Sequence, residues 1–198
     1  APRGGRRAPH PPPNARPLAT LTSRPLAELI GGMNKYSNNF MTRQLFLTLG
    51  VEQYGPPATL DKARRAWRAT LEGVGVDLRG AVVDNGAGLS RQSRLSANGL
   101  LQGLLAAYQS PHRYTFLSSL AQVGVDGTLR RRFRHEPLQG RVYGKTGTLN
   151  GVRALAGYVR ATSGATLAVA ILHEQPGLRR NAAVDVQNTL LRWVYHNH

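Results

Sequence analysis

Tyr143-Gly144-Lys145-Thr146-Gly147-Thr148-Leu149-Asn150-Gly151 is the stretch whose reading decides the fold. It passes from strand-forming residues through a lysine into an Asn-Gly turn, and apolar alternating segments follow it. That periodicity predicts three strands, over 141–148, 152–161 and 165–172. The latter two are joined across Thr162-Ser163-Gly164 as a tight hairpin, and antiparallel pairing is expected. On the first strand Thr146 and Thr148 alternate onto one side, and Gly147 leaves an edge that another backbone could approach. The same pattern presents Lys145 on an exposed edge strand. Only Lys35, Lys62 and Lys145 are lysines among 26 basic residues, so position 145 calls for an ammonium and not a generic positive charge. Guanidinium stays charged, whereas a lysine amine can be tuned by its surroundings to move protons.

Upstream, helical spacing dominates. Leu26, Leu29, Ile30 and Met33 recur every three to four residues, and a second apolar set, Phe40, Leu45, Phe46 and Leu49, follows Ser37-Asn38-Asn39. Two helices separated by that polar triplet are expected. Thr59 is a good N-cap for a helix carrying Ala63, Ala66, Trp67 and Leu71, which Gly73-Val74-Gly75 ends. Ala81-Val82-Val83 reads as a short buried strand, and Asp84-Asn85-Gly86-Ala87-Gly88 as a turn. Ser96 caps a helix whose Leu100, Leu101, Leu104, Leu105 and Tyr108 form a core stripe before Ser110-Pro111 stops it. Asn181 to Tyr195 places Val184, Leu190, Leu191 and Val194 on one helical face, a closing helix over the sheet. The fold class is α/β, an antiparallel sheet with helices on both faces.

At 198 residues and 41% hydrophobic the chain can bury one ordinary core. It holds no cysteine, which excludes disulfide scaffolds, thiol catalysis and thiolate metal sites. The six histidines (His10, His112, His135, His173, His196, His198) show no helical pairing, so neither metal nor cofactor is expected. No apolar run is long enough to span a membrane, and the start lacks the apolar stretch of a secretory signal. Residues 1–23 read as an irregular Pro/Arg-rich tail or remnant of an upstream domain, and 24–198 as the structured part. The formal charge of +16 raises nucleic acid as a partner, but the arginines are spread out. The one dense run, Arg130 to Arg134, lacks a stacking signature or zinc-ligand spacing and reads as a solvated face. Contact with an anionic wall or membrane surface remains open.

Ser-x-Asn is a weak pattern and occurs twice. Ser96-Ala97-Asn98 is explained by helix capping, whereas Ser37-Asn38-Asn39 lies at a helix break with no obvious capping gain, which favours function there. Five ordered blocks together resemble the penicillin-binding proteins, and among them the D-alanyl-D-alanine carboxypeptidase/endopeptidase family of low-molecular-mass, class C type. They are Pro25-Leu26-Ala27-Glu28-Leu29, Met33-Asn34-Lys35-Tyr36-Ser37-Asn38-Asn39, Asp84-Asn85-Gly86-Ala87-Gly88-Leu89-Ser90-Arg91, Gly124-Val125-Asp126-Gly127-Thr128-Leu129 and Gly144-Lys145-Thr146-Gly147-Thr148-Leu149.

The resemblance implies part of a serine β-lactamase/DD-peptidase-like transpeptidase domain, acting on peptidoglycan stem peptides through an acyl-enzyme in the periplasm. It implies β-lactam antibiotics as ligands of the full-length parent. By the same resemblance Ser37 relays protons and Asn39 holds a substrate amide. Lys145 supplies a positive field, Thr146 and Thr148 bind the substrate's terminal carboxylate, Gly147 permits close peptide docking, and the Thr148 N–H is one oxyanion donor. Two departures stand out. No serine is followed by the Ser-x-x-Lys spacing that supplies the nucleophile, so the chain reads as the C-terminal segment of a longer enzyme, inactive alone. Ala87 stands where family members usually carry serine, which puts the hydrogen bonding of that loop in question. The rival reading is a non-catalytic module that binds peptidoglycan, or a basic nucleic-acid protein.

Overall fold

The computed structural model describes residues 14–198, so residues 1–13 of the expected tail over 1–23 lie outside the described residues. Five helices come first: α1 (Leu26–Tyr36), α2 (Asn39–Tyr54), α3 (Leu60–Gly73), α4 (Ala97–Gln109) and α5 (Arg113–Ser119). A two-residue strand β1 (Ala121–Gln122) and a 3-10 turn (Gly127–Leu129) lead into β2 (Val142–Leu149), β3 (Val152–Arg160) and β4 (Thr166–Glu174), and α6 (Arg180–Asn197) closes the chain. The strands form one antiparallel sheet in the order β1-β2-β3-β4. The hairpin over Thr162-Ser163-Gly164 closes with Ala161 N–H donating to Ala165 O at 2.9 Å.

Alternation sorts the sheet's side chains into two layers. Leu155 and Val159 on β3 face α6, where they pack with Val142, Leu191 and Tyr195 around Leu129 and Leu138. Tyr158 and Ala156 face the other way, onto Leu104, Phe116 and Leu120 of the α4–α5 region. The Tyr158 hydroxyl donates to Leu104 O at 2.6 Å, and burial pushes its pKa up to about 12, with Tyr108 adding to the shift. The third cluster, Val76, Leu78 and Ala81 under Trp67, Leu71 and Leu95, anchors α3 to the loop before α4.

The caps are where the composition puts them. Thr59 Oγ1 accepts from Lys62 N at 3.3 Å and Ser96 Oγ from Gly99 N at 3.0 Å, each satisfying an N–H that the first turn leaves free. Three expectations need correction. Ala81-Val82-Val83 is not a strand: Val82 makes one isolated bridge to Arg94 and is 49% exposed, because the following Asp84–Gly88 loop turns away before a second pair can form. The buried face of α6 is Ala183, Gln187, Leu191 and Tyr195, four residues apart throughout, and this leaves Leu190 exposed. In the α4 stripe Leu104 is buried but Leu105 is exposed. The helix α5, too short for a periodic signal, was not expected at all.

Candidate active site

Ser37 ends α1 in the left-handed conformation, with φ 54° and ψ 52°. A non-glycine residue held there costs of order 1–3 kcal/mol, so its surroundings must impose the geometry. Three contacts do. The Ser37 N–H caps Met33 O; Asn34 Nδ2 donates to Ser119 Oγ at 2.8 Å on α5; Lys35 Nζ pairs with Asp126 Oδ2 at 2.6 Å. Asp126 also accepts from Gln122 N at 2.8 Å through Oδ1, which ties β1 to the same clamp. Next to it Gly127 has φ +55°, and a Cβ there would sit 2.6 Å from Lys35 O. The chain before the 3-10 turn can therefore press against the end of α1 only as glycine.

Across this clamp lies β2. β1 pairs only with Tyr143 and Gly144, so the edge from Lys145 to Leu149 is open on that side among the described residues. Val142 O accepts from Val123 N, on the β1 side, and Arg141 O accepts from Arg160 N, on the β3 side. Because backbone groups alternate in direction along a strand, the N–H and C=O of Thr146 and Thr148 point to the open edge. This is the orientation an edge-bound peptide, or an oxyanion donor at Thr148, requires.

Lys145 Nζ donates to Ser37 Oγ in a short hydrogen bond and to Thr146 O at 2.7 Å. Burial pushes its pKa below the ordinary lysine value of 10.5. In the pH window between that lowered value and 10.5 the unfolded chain holds more protons than the folded one, so the folded state gains stability as pH rises through it. Urea titrations from about pH 8 to about pH 10.5 should show this gain in the wild type and lose it in Lys145→Met. Equal pH slopes for the two proteins would remove the buried ammonium from the account.

Thr146 and Thr148 pair across to Leu155 and Arg153 and so face α6, on the opposite side of the strand from the Lys145 side chain. Thr146 Oγ1 donates to Thr128 Oγ1 at 3.0 Å, while Thr148 is exposed. Gly147 faces the α4 side, where an added Cβ would come within 3.2 Å of Ala154 Cβ. Asn39 is the first residue of α2, half-buried, and its side-chain amide forms no hydrogen bond among the described residues. The triplet does serve capping after all, but through Asn38, whose Oδ1 accepts from Met41 N at 3.0 Å. Ser37 and Asn39 are left to other tasks.

The Asp84–Gly88 loop holds its shape without the serine hydroxyl, since Ala87 N donates to Asn85 Oδ1 at 2.9 Å and Arg64 grips Asp84 at 3.0 Å. The following Arg91 donates to Asn150 O at 2.8 Å, linking this loop to the β2–β3 turn. The Arg130–Arg134 run is not wholly solvated: Phe133 is buried, and Arg132 reaches under the sheet to Gln187 and Asn188.

An apolar groove of about 530 Å³ opens beside Lys145 and Gly147, walled by Trp67, Leu95, Leu100, Leu104 and Phe116. Neither the groove nor the Asn34–Ser119 and Lys35–Asp126 clamp was read from the sequence, although Asp126 and Gly127 fall in one of the five blocks.

The structure thus brings a lysine on an open edge strand into contact with a serine between two helices, beside a Thr-Gly-Thr strand. The chain belongs to the D-Ala-D-Ala carboxypeptidase 3 (S13) family, whose sequence profile matches residues 6–196. It is 36% identical over 156 residues to the D-alanyl-D-alanine carboxypeptidase of Actinomadura sp. (strain R39), covering 76% of this chain and 29% of that protein. It is 29% identical over 162 residues to the D-alanyl-D-alanine carboxypeptidase DacB of Haemophilus influenzae, covering 81% and 34%. The crystal structure of penicillin binding protein 4 (dacB) from Haemophilus influenzae, complexed with a β-lactam, superposes with a TM-score of 0.79 at 27% identity, over 88% of this chain and 42% of that one. The chain thus spans about a third of the length of these two curated relatives. Among the described residues no helix is long and apolar enough to cross a membrane.

Proposed function

We propose that residues 24–198 form the Ser37/Lys145 side of a D-Ala-D-Ala peptidase site that acts on peptidoglycan stem peptides, in the periplasm, through an acyl-enzyme. The observation that carries this reading is the Lys145–Ser37 hydrogen bond at the mouth of the apolar groove. This chain holds no Ser-x-x-Lys, so the nucleophile comes from such a segment outside it, and the apolar groove walled by Trp67, Leu100 and Phe116 beside Lys145 is the surface available to it.

In that arrangement the serine oxygen attacks the carbonyl carbon of the penultimate D-alanine. The developing oxyanion is held by the Thr148 N–H at the open edge. Ser37, bonded to the Lys145 ammonium, passes the proton to the leaving amine as the C–N bond breaks. Water then releases the acyl group. Asn39 holds a substrate amide, Gly147 lets the peptide run close along β2, and Thr146 and Thr148 take the terminal carboxylate. β-Lactams, whose strained amide undergoes the same attack, are ligands of the completed site, as the Haemophilus influenzae structure's bound β-lactam supports.

Alone, the chain retains the peptide-binding edge without the nucleophile. Amide NMR of the 198-residue chain titrated with N-acetyl-D-alanyl-D-alanine should shift Lys145 to Thr148, with Kd of order millimolar, and the L,L peptide should shift them far less. Indifference to chirality, or shifts confined to distant surfaces, would count against the reading.

A further inference from the structure

The end of the sheet farthest from the β2–β3 turn gathers arginines and exposed aromatic rings. Arg141 and Arg160 are neighbours there, since Arg160 N donates to Arg141 O at 2.8 Å, and both side chains are exposed. On one side of them Arg113 opens α5, its guanidinium over the rings of Tyr108 at 5.0 Å and Tyr114 at 4.5 Å. Tyr108 in turn packs on Tyr158, two residues before Arg160, with ring centroids 5.5 Å apart. On the other side the last turn of α6 is tied to the Thr162–Gly164 hairpin, where Thr162 N donates to Tyr195 O at 2.9 Å and Ser163 N to His198 O at 3.2 Å. The Trp193 ring stands edge-on to that of His198 at 5.4 Å, which brings it to the same end. Tyr114 is 73% exposed and Trp193 55%.

The positive charge here has no internal answer. Segments 97–119, 141–173 and 186–198, which build this end, contain no aspartate or glutamate. The acid that reaches α6, Glu136, is taken by Arg192 at 3.1 Å. Among the described residues Arg113, Arg141 and Arg160 form no ion pair, whereas Lys35, Arg64, Arg68 and Arg79 elsewhere on the chain are all matched to carboxylates. A one-signed cluster of this kind draws anions from solution. A soluble anion would use the arginines alone. Exposed Tyr and Trp rings beside arginines suit a membrane interface, where amphipathic rings sit at headgroup level and guanidinium groups meet lipid phosphates.

We propose that this end of the molecule is a peripheral docking surface for a bilayer rich in anionic phospholipid, with Arg113, Arg141 and Arg160 on the phosphates and Tyr114 and Trp193 seated among the headgroups. The assignment stands independently of the peptidase reading. It also fixes an orientation. β2 runs away from this end, and about 30 Å of strand separate Arg141 from Asn150. A membrane held at Arg141 and Arg160 therefore leaves the open edge of β2 clear of the lipid.

Co-sedimentation of the 198-residue chain with vesicles tests this, using phosphatidylglycerol mixed with phosphatidylcholine against phosphatidylcholine alone. The anionic vesicles should bind at least about tenfold tighter, and the preference should fade as salt rises from about 50 to about 500 mM. Arg141→Gln with Arg160→Gln should weaken binding about 20-fold, at about fivefold for each guanidinium near an anionic surface. The charge-matched pair Arg43→Gln with Arg65→Gln, exposed on the helices that hold the Asp84–Gly88 loop, should change it less than about twofold. Tryptophan emission should shift to the blue on anionic vesicles, and Trp193→Phe, which leaves Trp67 as the sole indole, should abolish the shift. Equal losses in the two double variants would mean diffuse charge attraction and overturn the proposal. Soluble polyphosphate binding as tightly as the vesicles, with Trp193 emission unmoved by lipid, would assign the arginines to a phosphate polymer and overturn the bilayer as partner.

Discussion

Gly157→Ala is expected to lower the melting temperature by more than about 10 °C, or to leave the chain unfolded at 25 °C. A Cβ at Gly157 would lie 2.0 Å from Tyr143 O and 2.6 Å from Gly144 Cα, both backbone atoms of the neighbouring strand. Neither can yield as a flexible side chain would. To relieve the contact β3 must move off β2, which opens the pairing that positions Lys145 opposite Ala156. Overpacking of this kind against backbone is among the few mechanisms that exceed about 4 kcal/mol, a large share of the roughly 5–15 kcal/mol by which domains are stable. Thermal denaturation by circular dichroism measures it, and a melting temperature within about 2 °C of wild type would mean that the β2–β3 spacing is wrong.

The second large effect is on chemistry. In a polypeptide that joins this chain to a Ser-x-x-Lys segment, Lys145→Ala should slow acylation by a fluorescent penicillin by about 10²–10³, the loss typical of one preorganised electrostatic group in an acyl-transfer site. Lys145→Arg should not restore it. Guanidinium keeps the charge but holds its proton through any pH at which the protein is folded, and its planar fork cannot reproduce the ammonium's bonds to both Ser37 Oγ and Thr146 O. An arginine variant that acylates at close to the wild-type rate would reduce Lys145 to a positive field and remove any proton-handling role.

What the sequence revealed and what it hid follow from the range of the forces involved. The caps at Thr59 and Ser96, the break at Ser37-Asn38-Asn39 and the three strands are set by neighbours within a few residues, and each is legible from spacing alone. Where tertiary packing decides, local pattern misleads. Val82 looks like a strand residue, yet its chain finds only Arg94 to pair with. On α6 a small alanine and a glutamine are buried while Leu190 is exposed, the glutamine because Gln187 answers Arg132.

The site shows the same division. Ser37 and Lys145 were singled out separately, but the contact between them spans 108 residues, and the Lys35–Asp126 and Asn34–Ser119 bonds that create it span 91 and 85. No periodicity encodes such pairings. Only the resemblance suggests that the two belong together, and it carries no information about the groove.

The open outer edge of β4, nine residues long and unpaired among the described residues, has a consequence for handling the protein. Such edges template association between copies, so the isolated chain should self-associate at concentrations where a form with the edge covered stays monomeric.

Covalent labelling tests the central claim most directly. The claim is that Ser37 and Lys145 form one half of an acyl-transfer centre whose nucleophile lies on another segment. Incubated with a fluorescent penicillin, the 198-residue chain should take up no covalent label, and a protein that adds the Ser-x-x-Lys segment should be labelled on that serine. A stable adduct on the isolated chain would contradict the account.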